Sequence, residues 1–225
     1  IKITRGSEAG KTVKGYNNLP SFRNKKIWYS LGERKPAPIY FPAIIWERIF
    51  AVWNKSNSFA THNFYEILPH NKEDTLILLG ILNSSLTALL VELYGRTPLG
   101  AGALEIMVYE VENLPVLNPS KLSQEERKRI EKAFIKLCDA QKKSKKLEEE
   151  ARKELDDSIF DTLGLNEKKR QQIIESLNQL REMRKKRKEV EVLIEHPETI
   201  RVEKQKKIKE YKKPEKISLK KWLSS

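Results

Sequence analysis

The chain shows two patterns of apolar and polar positions, and the change falls near Pro119. Before it, short runs rich in aromatic and β-branched residues are bounded by Gly, Pro, Asn or Ser, which is typical of β-strands. These runs are KKIWYSL (residues 25–31), PIYFPAIIW (38–46), RIFAVWN (48–54) and HNFYEIL (62–68). Pro42 lies inside the second run, which predicts either an edge strand or two short pieces.

A Leu- and Ala-rich segment, DTLILLGILNSSLTALLVEL at residues 74–93, is long enough to form a helix. Crossing a membrane needs about 20 mostly apolar residues, and polar side chains interrupt this run at Asn83, Ser84, Ser85 and Thr87. We therefore expect a buried core helix that packs on the sheet, and no membrane partner.

A glycine-rich loop follows this helix from Gly95 to Gly102. A P-loop is excluded, because Ala101 and Gly102 stand where that motif needs Lys and Ser or Thr. A dinucleotide-binding loop is excluded too, since it follows a strand and opens a helix, whereas this loop precedes a predicted strand at residues 106–111. Two interpretations stay open: the backbone approaches DNA closely and Arg96 reaches a phosphate or base edge, or the loop is a turn that leads into the strand.

After Pro119 the pattern becomes helical. Ser123 and Glu126 form a capping box at a helix start. Apolar and small residues then recur at three- and four-residue steps and predict one long helix; they are Ile130, Phe134, Leu137, Ser144, Leu147, Ala151 and Leu155. Gly164 ends a further helical turn as a C-cap. Asn166 caps a second long helix, whose stripe comprises Ile173, Leu177, Leu180 and Val190.

Two long helices joined by a tight corner are expected to pack antiparallel. The predicted fold is therefore α+β: a small mixed sheet with a core helix, followed by a long antiparallel helical pair. We expect three parts along the chain: the sheet domain at residues 1–119, the helical pair at 120–195 and a basic tail at 196–225. The last segment is rich in lysine and has two interpretations, a solvated tail or an arm that follows a nucleic-acid backbone or anchors through Ile208, Tyr211 and Trp222.

The charge balance points to a polyanionic partner. Lys and Arg number 44 against 31 Asp and Glu, a net charge of +13. Such an excess favours nucleic acid over an acidic membrane. A thermophile-like surface, which raises both signs together, is expected to contribute as well. The single cysteine, Cys138, excludes a disulfide framework and predicts a reducing cytoplasm. With only three histidines in addition, no zinc-site spacing occurs.

A search for catalytic motifs finds none. The sequence has no Ser/His/Asp order with a nucleophile elbow and no H-E-x-x-H. Asp156, Asp157 and Asp161 lie close together at a predicted helix corner, where capping is favoured over a magnesium site. Glu105 and Glu110 fall on the predicted strand at odd spacing, so they are expected to point to opposite faces and not to pair. Binding is predicted instead of catalysis.

Candidate DNA contacts fall in three places. The basic, turn-rich start of the chain suits phosphate and sugar contacts. The polar loop at residues 54–58 and the segment at 61–63 carry Asn and Lys, which pair with adenine and guanine, although ordinary turn residues are the alternative there. The glycine loop is the third place. The candidates are Lys11, Lys14, Arg23, Lys25 and Lys26, then Asn54, Lys55, Ser56, Thr61 and Asn63, then Arg96, Gly100 and Gly102.

Three blocks of sequence resemble, in the same order, the carboxy-terminal region of adenine-specific DNA methyltransferases. They are THNFYEIL, LLGILNSSLTALLVELYGRTPLGAGALEIMVYEVENLPVLNP and ARKELDDSIFDTLGL. The resemblance covers residues 28–165 and is closest to the TaqI-like target-recognition domain. LPVLNPSKLSQEERKRI is also similar to the join between recognition domain and long helix in type I specificity subunits.

The resemblance implies a domain that reads a short sequence in double-stranded DNA for a restriction–modification enzyme. A separate amino-terminal domain of the same protein then transfers a methyl group from S-adenosylmethionine to a flipped adenine. The family's Asn-Pro-Pro-Tyr-type catalytic motif and its glycine-rich cofactor motif have no counterpart in this sequence, which begins at Ile1. We therefore expect the chain to lack the catalytic half, to bind no cofactor and to be inactive alone.

Two other classes of function are weighed against DNA recognition. One is a structural module, in which a coiled coil and a protein-docking domain carry positive charge for solubility only. The other is RNA binding, which is less favoured because no pair of aromatic residues of the RNA-recognition type falls on adjacent predicted strands.

Overall fold

The computed structural model of the chain describes residues 1–24, 26–27, 33–97 and 102–195, with side chains as far as residue 186. Part of the first predicted strand, the candidates Lys25 and Gly100, and the tail at 196–225 lie outside the described residues. The chain divides into two compact units, Ile1–Pro36 and a larger one that begins at Ala37.

In the first unit, backbone hydrogen bonds join residues 1–3 to residues 10–13. The Ile3 N–H donates to the Lys11 carbonyl at 2.9 Å, and the Gly10 N–H donates to the Ile3 carbonyl at 2.8 Å. Gly10 has a φ of 94°, which glycine adopts without strain. Farther along, the Arg23 guanidinium donates to both carboxylate oxygens of Glu8, at 2.8 and 3.1 Å. The described lysines of this unit are exposed.

The second unit opens with an antiparallel sheet. The run PIYFPAIIW forms two short strands, β1 (Ile39–Pro42) and β2 (Ile44–Ile45), the second of the two outcomes predicted from Pro42. β1 lies between β3 (Val52–Trp53) and β4 (Phe64–Ile67). Pro42 ends β1 beyond the two residues that pair with β3, so its missing N–H does not interrupt that pairing.

The predicted core helix is two helices, α1 (Thr75–Leu82) and α2 (Ser85–Tyr94). They meet at a break of 71°. At the break the Asn83 amide donates to the carbonyls of Ala51 (3.0 Å) and Leu79 (2.8 Å), and the Ser84 hydroxyl caps α2 by accepting from the Thr87 N–H. The polar residues that interrupt the apolar run thus form the bend.

Among the described residues, no single helix has both the length and the apolar character needed to cross a membrane. In the part of the chain that the structure describes, α1 and α2 meet that test of length and composition when they are taken together as a bent pair.

A second, two-stranded sheet forms where β5 (Leu104–Glu105) pairs antiparallel with β2. Ile44 lies opposite Glu105 and Ile45 opposite Leu104. On the other side of β5, Arg96 and Glu105 exchange two backbone hydrogen bonds of 2.7 Å each. We call β2, β5 and Arg96 the ribbon. The predicted strand at 106–111 is wrong, because the chain after β5 turns into the short helix α3 (Val108–Glu112).

Three helices follow: α4 (Gln124–Gln141), α5 (Lys145–Thr162) and α6 (Glu167–Glu195). The capping box of Ser123 and Glu126 is confirmed. The single helix predicted across residues 130–155 is wrong, because the chain breaks before Ser144, which caps α5. α5 folds back antiparallel on α4, as the ion pairs Arg129–Asp161 and Lys136–Glu154 show.

The corner before α6 is a C-cap at Gly164, as predicted. Gly164 has a φ of 62°. Its N–H donates to the Asp161 carbonyl at 2.9 Å, and the Leu165 N–H donates to the Phe160 carbonyl at 3.0 Å, the two bonds of a Schellman motif. The chain then continues as α6, which packs on α2. The α+β class is confirmed, with the described strands paired antiparallel and not as a mixed sheet.

The contact between α1 and α4 depends on the absence of a side chain at Gly80. A Cβ atom there lies 2.8 Å from Cγ2 of Ile130, which is fully buried and branched at Cβ, so it cannot swing aside. Alanine gains about 1 kcal/mol in helix propensity over glycine, but overpacking a core costs about 1–3 kcal/mol. We expect Gly80→Ala to lower the free energy of unfolding by about 1 kcal/mol net, measured by urea denaturation.

Ile130→Leu is the matched second change, since leucine carries no methyl on Cβ. Adding it to Gly80→Ala is expected to recover part of the loss. A Gly80→Ala variant more stable than the unaltered protein would show that propensity outweighs the contact.

Candidate nucleic-acid interface

Three of the candidates, Thr61, Asn63 and Arg96, lie on neighbouring segments at the end of the sheet where β1 leads into β2. There the Ala43 N–H donates to the Asn63 carbonyl at 2.8 Å, and the Ala43 carbonyl accepts from the Ile106 N–H at 3.0 Å. Thr61 lies one turn before β4, where its carbonyl accepts from the Phe64 N–H. The structure therefore places the exposed residues Thr61 and Asn63 beside the ribbon that carries Arg96.

The polar loop at residues 54–58 lies at the opposite end of β1. The Asn54 N–H donates to the Pro38 carbonyl at 2.9 Å. Pro38 and Ala43 are five residues apart along an extended chain, a span of about 16 Å. Asn54, Lys55 and Ser56 are thus not brought together with the candidates at the ribbon.

Asn54 holds its own loop through every polar atom of its side chain. Its Nδ2 donates to the carbonyls of Ala37 (2.8 Å) and Ser58 (2.9 Å), and its Oδ1 accepts from the Ser58 N–H at 3.1 Å. The Lys55 ammonium lies 3.7 Å from the centroid of the Trp53 ring, a cation–π contact. These contacts favour the turn interpretation of this loop, and DNA contact by its residues stays a prediction.

Arg96 is held by two residues of α3. Its Nε donates to Glu110 Oε1 at 2.8 Å and its Nη2 donates to the Tyr109 hydroxyl. The second oxygen of Glu110 accepts from the Met107 N–H at 2.8 Å and so caps α3. The hydrogen bond with Glu110 raises the pKa of Arg96. Glu110 thus contacts Arg96 from the helix α3, in the segment where the sequence predicted a strand.

An exposed tryptophan follows β2. Trp46 has 57% of its surface exposed. Its carbonyl accepts from Nη1 of Arg184 on α6, and the same Nη1 donates to the Gly102 carbonyl at 2.8 Å. The Nε and Nη2 of Arg184 bind both oxygens of Glu92 on α2, at 3.1 and 2.8 Å. We call Arg184, Glu92 and these two carbonyls the Arg184 cluster.

The Arg184 cluster is buried, with 9% of the Arg184 side chain and 3% of the Glu92 side chain exposed. A bidentate arginine–carboxylate pair is among the strongest polar contacts in proteins when it is desolvated and all its donors are hydrogen-bonded. The Arg184 cluster fixes the backbone at Trp46, just after β2, and at Gly102, just before β5. The Trp46 indole is therefore presented to solvent from a rigid backbone.

The local structure requires glycine at the two described glycine positions of the loop, Gly95 and Gly102. A Cβ on Gly95 lies 2.8 Å from the Leu104 side chain, so glycine lets the end of α2 pack on β5. Gly102 has a φ of 72°. These observations support the turn interpretation at both positions. Residues 98–101, which include Gly100, lie outside the described part of the chain.

The basic candidates of the first unit point into solvent. Lys11, Lys14, Arg23 and Lys26 are all exposed. Arg23 pairs with Glu8, so part of its charge is compensated within the unit. Exposed lysines on a loop suit phosphate contacts, which need charge more than fixed geometry.

The three aspartates at the helix corner are bound by protein groups. Asp156 is buried and accepts from the N–H (2.7 Å) and hydroxyl (2.6 Å) of Ser85, which ties α5 to the start of α2. Burial raises the pKa of Asp156. Arg170 lies 2.6 Å from Asp161 and 3.8 Å from Asp157. In the described residues, no group of three His, Cys, Asp or Glu is placed to hold a metal ion.

Sequence reasoning missed Trp46, Tyr109, Glu110 and Arg184. The last could have been found, because Arg184 continues the three- and four-residue steps of the stripe after Leu180. A charged residue on an apolar stripe indicates a buried ion pair. Trp46 ends an apolar run that is typical of a buried strand, so the sequence contains no signal for the exposure of its side chain.

Comparison with known proteins places the chain in one family. The family described as "Type II methyltransferase M.Eco57I, C-terminal domain" matches residues 6–160 of the 225. The match includes the ribbon and α3 and ends within α5, before α6. No curated protein and no solved structure matches the chain.

Proposed function

Because the chain belongs to the family of type II methyltransferase C-terminal domains, we propose that it recognises a short sequence in double-stranded DNA. The enzyme it serves is, in this proposal, an adenine-specific methyltransferase of a restriction–modification system. The resemblance to methyltransferase carboxy-terminal regions is confirmed by the match to residues 6–160. Adenine specificity is supported by the three sequence blocks that resemble adenine-specific enzymes.

One observation carries the proposal of sequence recognition: the outer face of the ribbon. Directly paired residues on neighbouring strands point to the same face. Ile45 and Leu104 are buried, so the opposite face presents Arg96 and Glu105, with Trp46 exposed beside them. Short two-stranded sheets of this size fit the major groove. Arginine and an exposed aromatic ring on such a support have the chemistry to read base edges.

The positive charge supports a second, less specific contribution. The exposed lysines of the first unit can neutralise phosphates and hold the protein on any duplex, while base contacts select the sequence. Arg96 and Asn63, together with Thr61, form the set that we propose reads bases. Lys11, Lys14 and Lys26 form the set that we propose contacts phosphates.

We assign methyl transfer and the binding of S-adenosylmethionine to a separate amino-terminal domain of the same protein, which acts in the cytoplasm. The chain itself has neither the catalytic nor the cofactor motif of such enzymes. In this proposal its partners are double-stranded DNA and that catalytic domain.

Salt dependence separates the two sets. Replacing Lys11, Lys14 and Lys26 together with glutamine is expected to weaken binding to all duplexes alike. Each lost phosphate contact lowers the slope of log K against log salt by about 0.9. The measurement is a fluorescence-anisotropy titration at several salt concentrations, with the selected sequence and a scrambled duplex.

Three exposed lysines elsewhere provide a control with the same change in charge: Lys143, Lys145 and Lys146, at the corner between α4 and α5. An equal loss of affinity in this control would show that net charge, and not the first unit, attracts DNA. Selection from randomised duplexes tests sequence recognition itself. Failure to enrich any sequence would favour the structural-module alternative.

A further inference from the structure

The charges around Arg96 favour one kind of nucleic-acid contact over another. Glu110 binds its Nε at 2.8 Å, and Glu105 is its partner on the neighbouring strand of the ribbon. The Glu110 carboxylate compensates the charge of Arg96, which weakens the attraction of the guanidinium for a phosphate. A base edge carries hydrogen-bond acceptors without net charge. Arg96 is therefore better suited to a base than to the DNA backbone.

The orientation of the guanidinium decides which edge faces outward. Its Nε and Nη2, which form one edge, donate to Glu110 and Tyr109. Within the described residues, Nη1 donates to no protein acceptor, and 54% of the Arg96 side chain is exposed. Nη1 and the second hydrogen of Nη2 form the outer edge, with two parallel donors. This arrangement matches the O6 and N7 acceptors of guanine in the major groove.

Glu110 fixes this orientation of the Arg96 guanidinium. Only 9% of its side chain is exposed, and its other oxygen accepts from the Met107 N–H at 2.8 Å. A carboxylate bonded through both oxygens cannot turn away from Arg96 without removing the cap of α3. Because the guanidinium is already oriented in the unbound protein, less conformational freedom is lost when it meets a base.

We propose that Arg96 reads a guanine through Nη1 and Nη2, and that Glu110 is the positioning residue that holds Arg96 for this contact. The recognised DNA sequence then contains a G·C pair at that position. This inference rests on the proposed function, sequence-specific recognition of duplex DNA.

The test is selection from randomised duplexes with the unaltered 225-residue chain and three variants. The unaltered protein is expected to enrich a guanine at one position. Arg96→Lys, which cannot donate two parallel bonds, is expected to lower that preference about 5- to 150-fold while other positions keep theirs. Glu110→Gln is expected to give a smaller loss at the same position. Arg129→Lys is the matched control, because Arg129 has a similar exposure and a carboxylate, Asp161, at 3.5 Å.

The outcomes separate this inference from the proposed function. If no sequence is enriched, both fail. If a sequence is enriched but contains no guanine that depends on Arg96, the guanine inference fails and the proposed function stands. If Glu110→Gln lowers Tm and leaves the guanine preference intact, Glu110 is structural only and its positioning role is overturned. Arg96→Lys tests the reading of guanine without altering the cap of α3.

Discussion

Replacing Phe134 by alanine is expected to lower the free energy of unfolding by about 3–5 kcal/mol, as for other buried aromatic residues. Phe134 is 3% exposed and lies in the core that α4 shares with α1 and α5. Its ring centroid is 6.3 Å from that of Trp53 on β3, so it also joins α4 to the sheet. Truncation removes these contacts and leaves a cavity that rigid neighbours on two sides cannot fill. Urea denaturation followed by tryptophan fluorescence measures the loss.

The next residue on the same helix provides the control. Ile135 is 39% exposed, so Ile135→Ala is expected to change the free energy of unfolding by less than about 1 kcal/mol. A loss below about 1 kcal/mol for Phe134→Ala would contradict the packing of α4 against α1 and the sheet.

The sequence predicted where helices begin and end at capping residues, but it did not predict where a long helix is broken into two. Local capping signals, at Ser123 with Glu126 and at Gly164, were read correctly because a cap depends on a few adjacent residues. The breaks at Asn83 and Ser144 were not predicted. In both cases the spacing of apolar residues continues across the break, while the polar residue that makes it bonds to a neighbouring turn or element. Periodicity alone cannot reveal such a bond.

The helical pair was predicted with the wrong partner. The stripe from Ile130 to Leu155 was assigned to one helix that packs on α6, whereas it belongs to α4 and α5, which pack on each other. Leu177 joins the same core from α6. One continuous core thus extends across Pro119, and a change in composition along the chain does not mark its limits.

The candidate site shows the same division between local and distant information. Arg96 was chosen because an arginine beside glycines is a local feature. Its orientation depends on Glu110, fourteen positions away, in a segment that was predicted as a strand and is the helix α3. The position of Trp46 depends on Arg184, which is far away in sequence and beyond the segment that the family match covers.

Replacing Arg184 by methionine is expected to have the second large effect, a loss of about 3 kcal/mol in the free energy of unfolding. Removing one partner of a buried ion pair typically costs about 3–5 kcal/mol, since the remaining charge is left without compensation. The lower end is expected here because Arg181 lies 4.0 Å from Glu92 and its buried Nε has no acceptor among the described residues. It can therefore take over part of the pairing. Urea denaturation measures the change.

A double mutant separates the charge from the packing. The double mutant Arg184→Met, Glu92→Gln lacks both charges. We therefore expect it to have a higher free energy of unfolding than the single mutant Arg184→Met. The carbonyls of Trp46 and Gly102 still lack their donor in the double mutant. If the Arg184 cluster also holds the recognition surface, the double mutant should therefore recover stability without recovering full sequence preference in duplex selection. Full recovery of both would show that Arg184 acts on the fold alone, and that the ribbon keeps its position through β2 and β5.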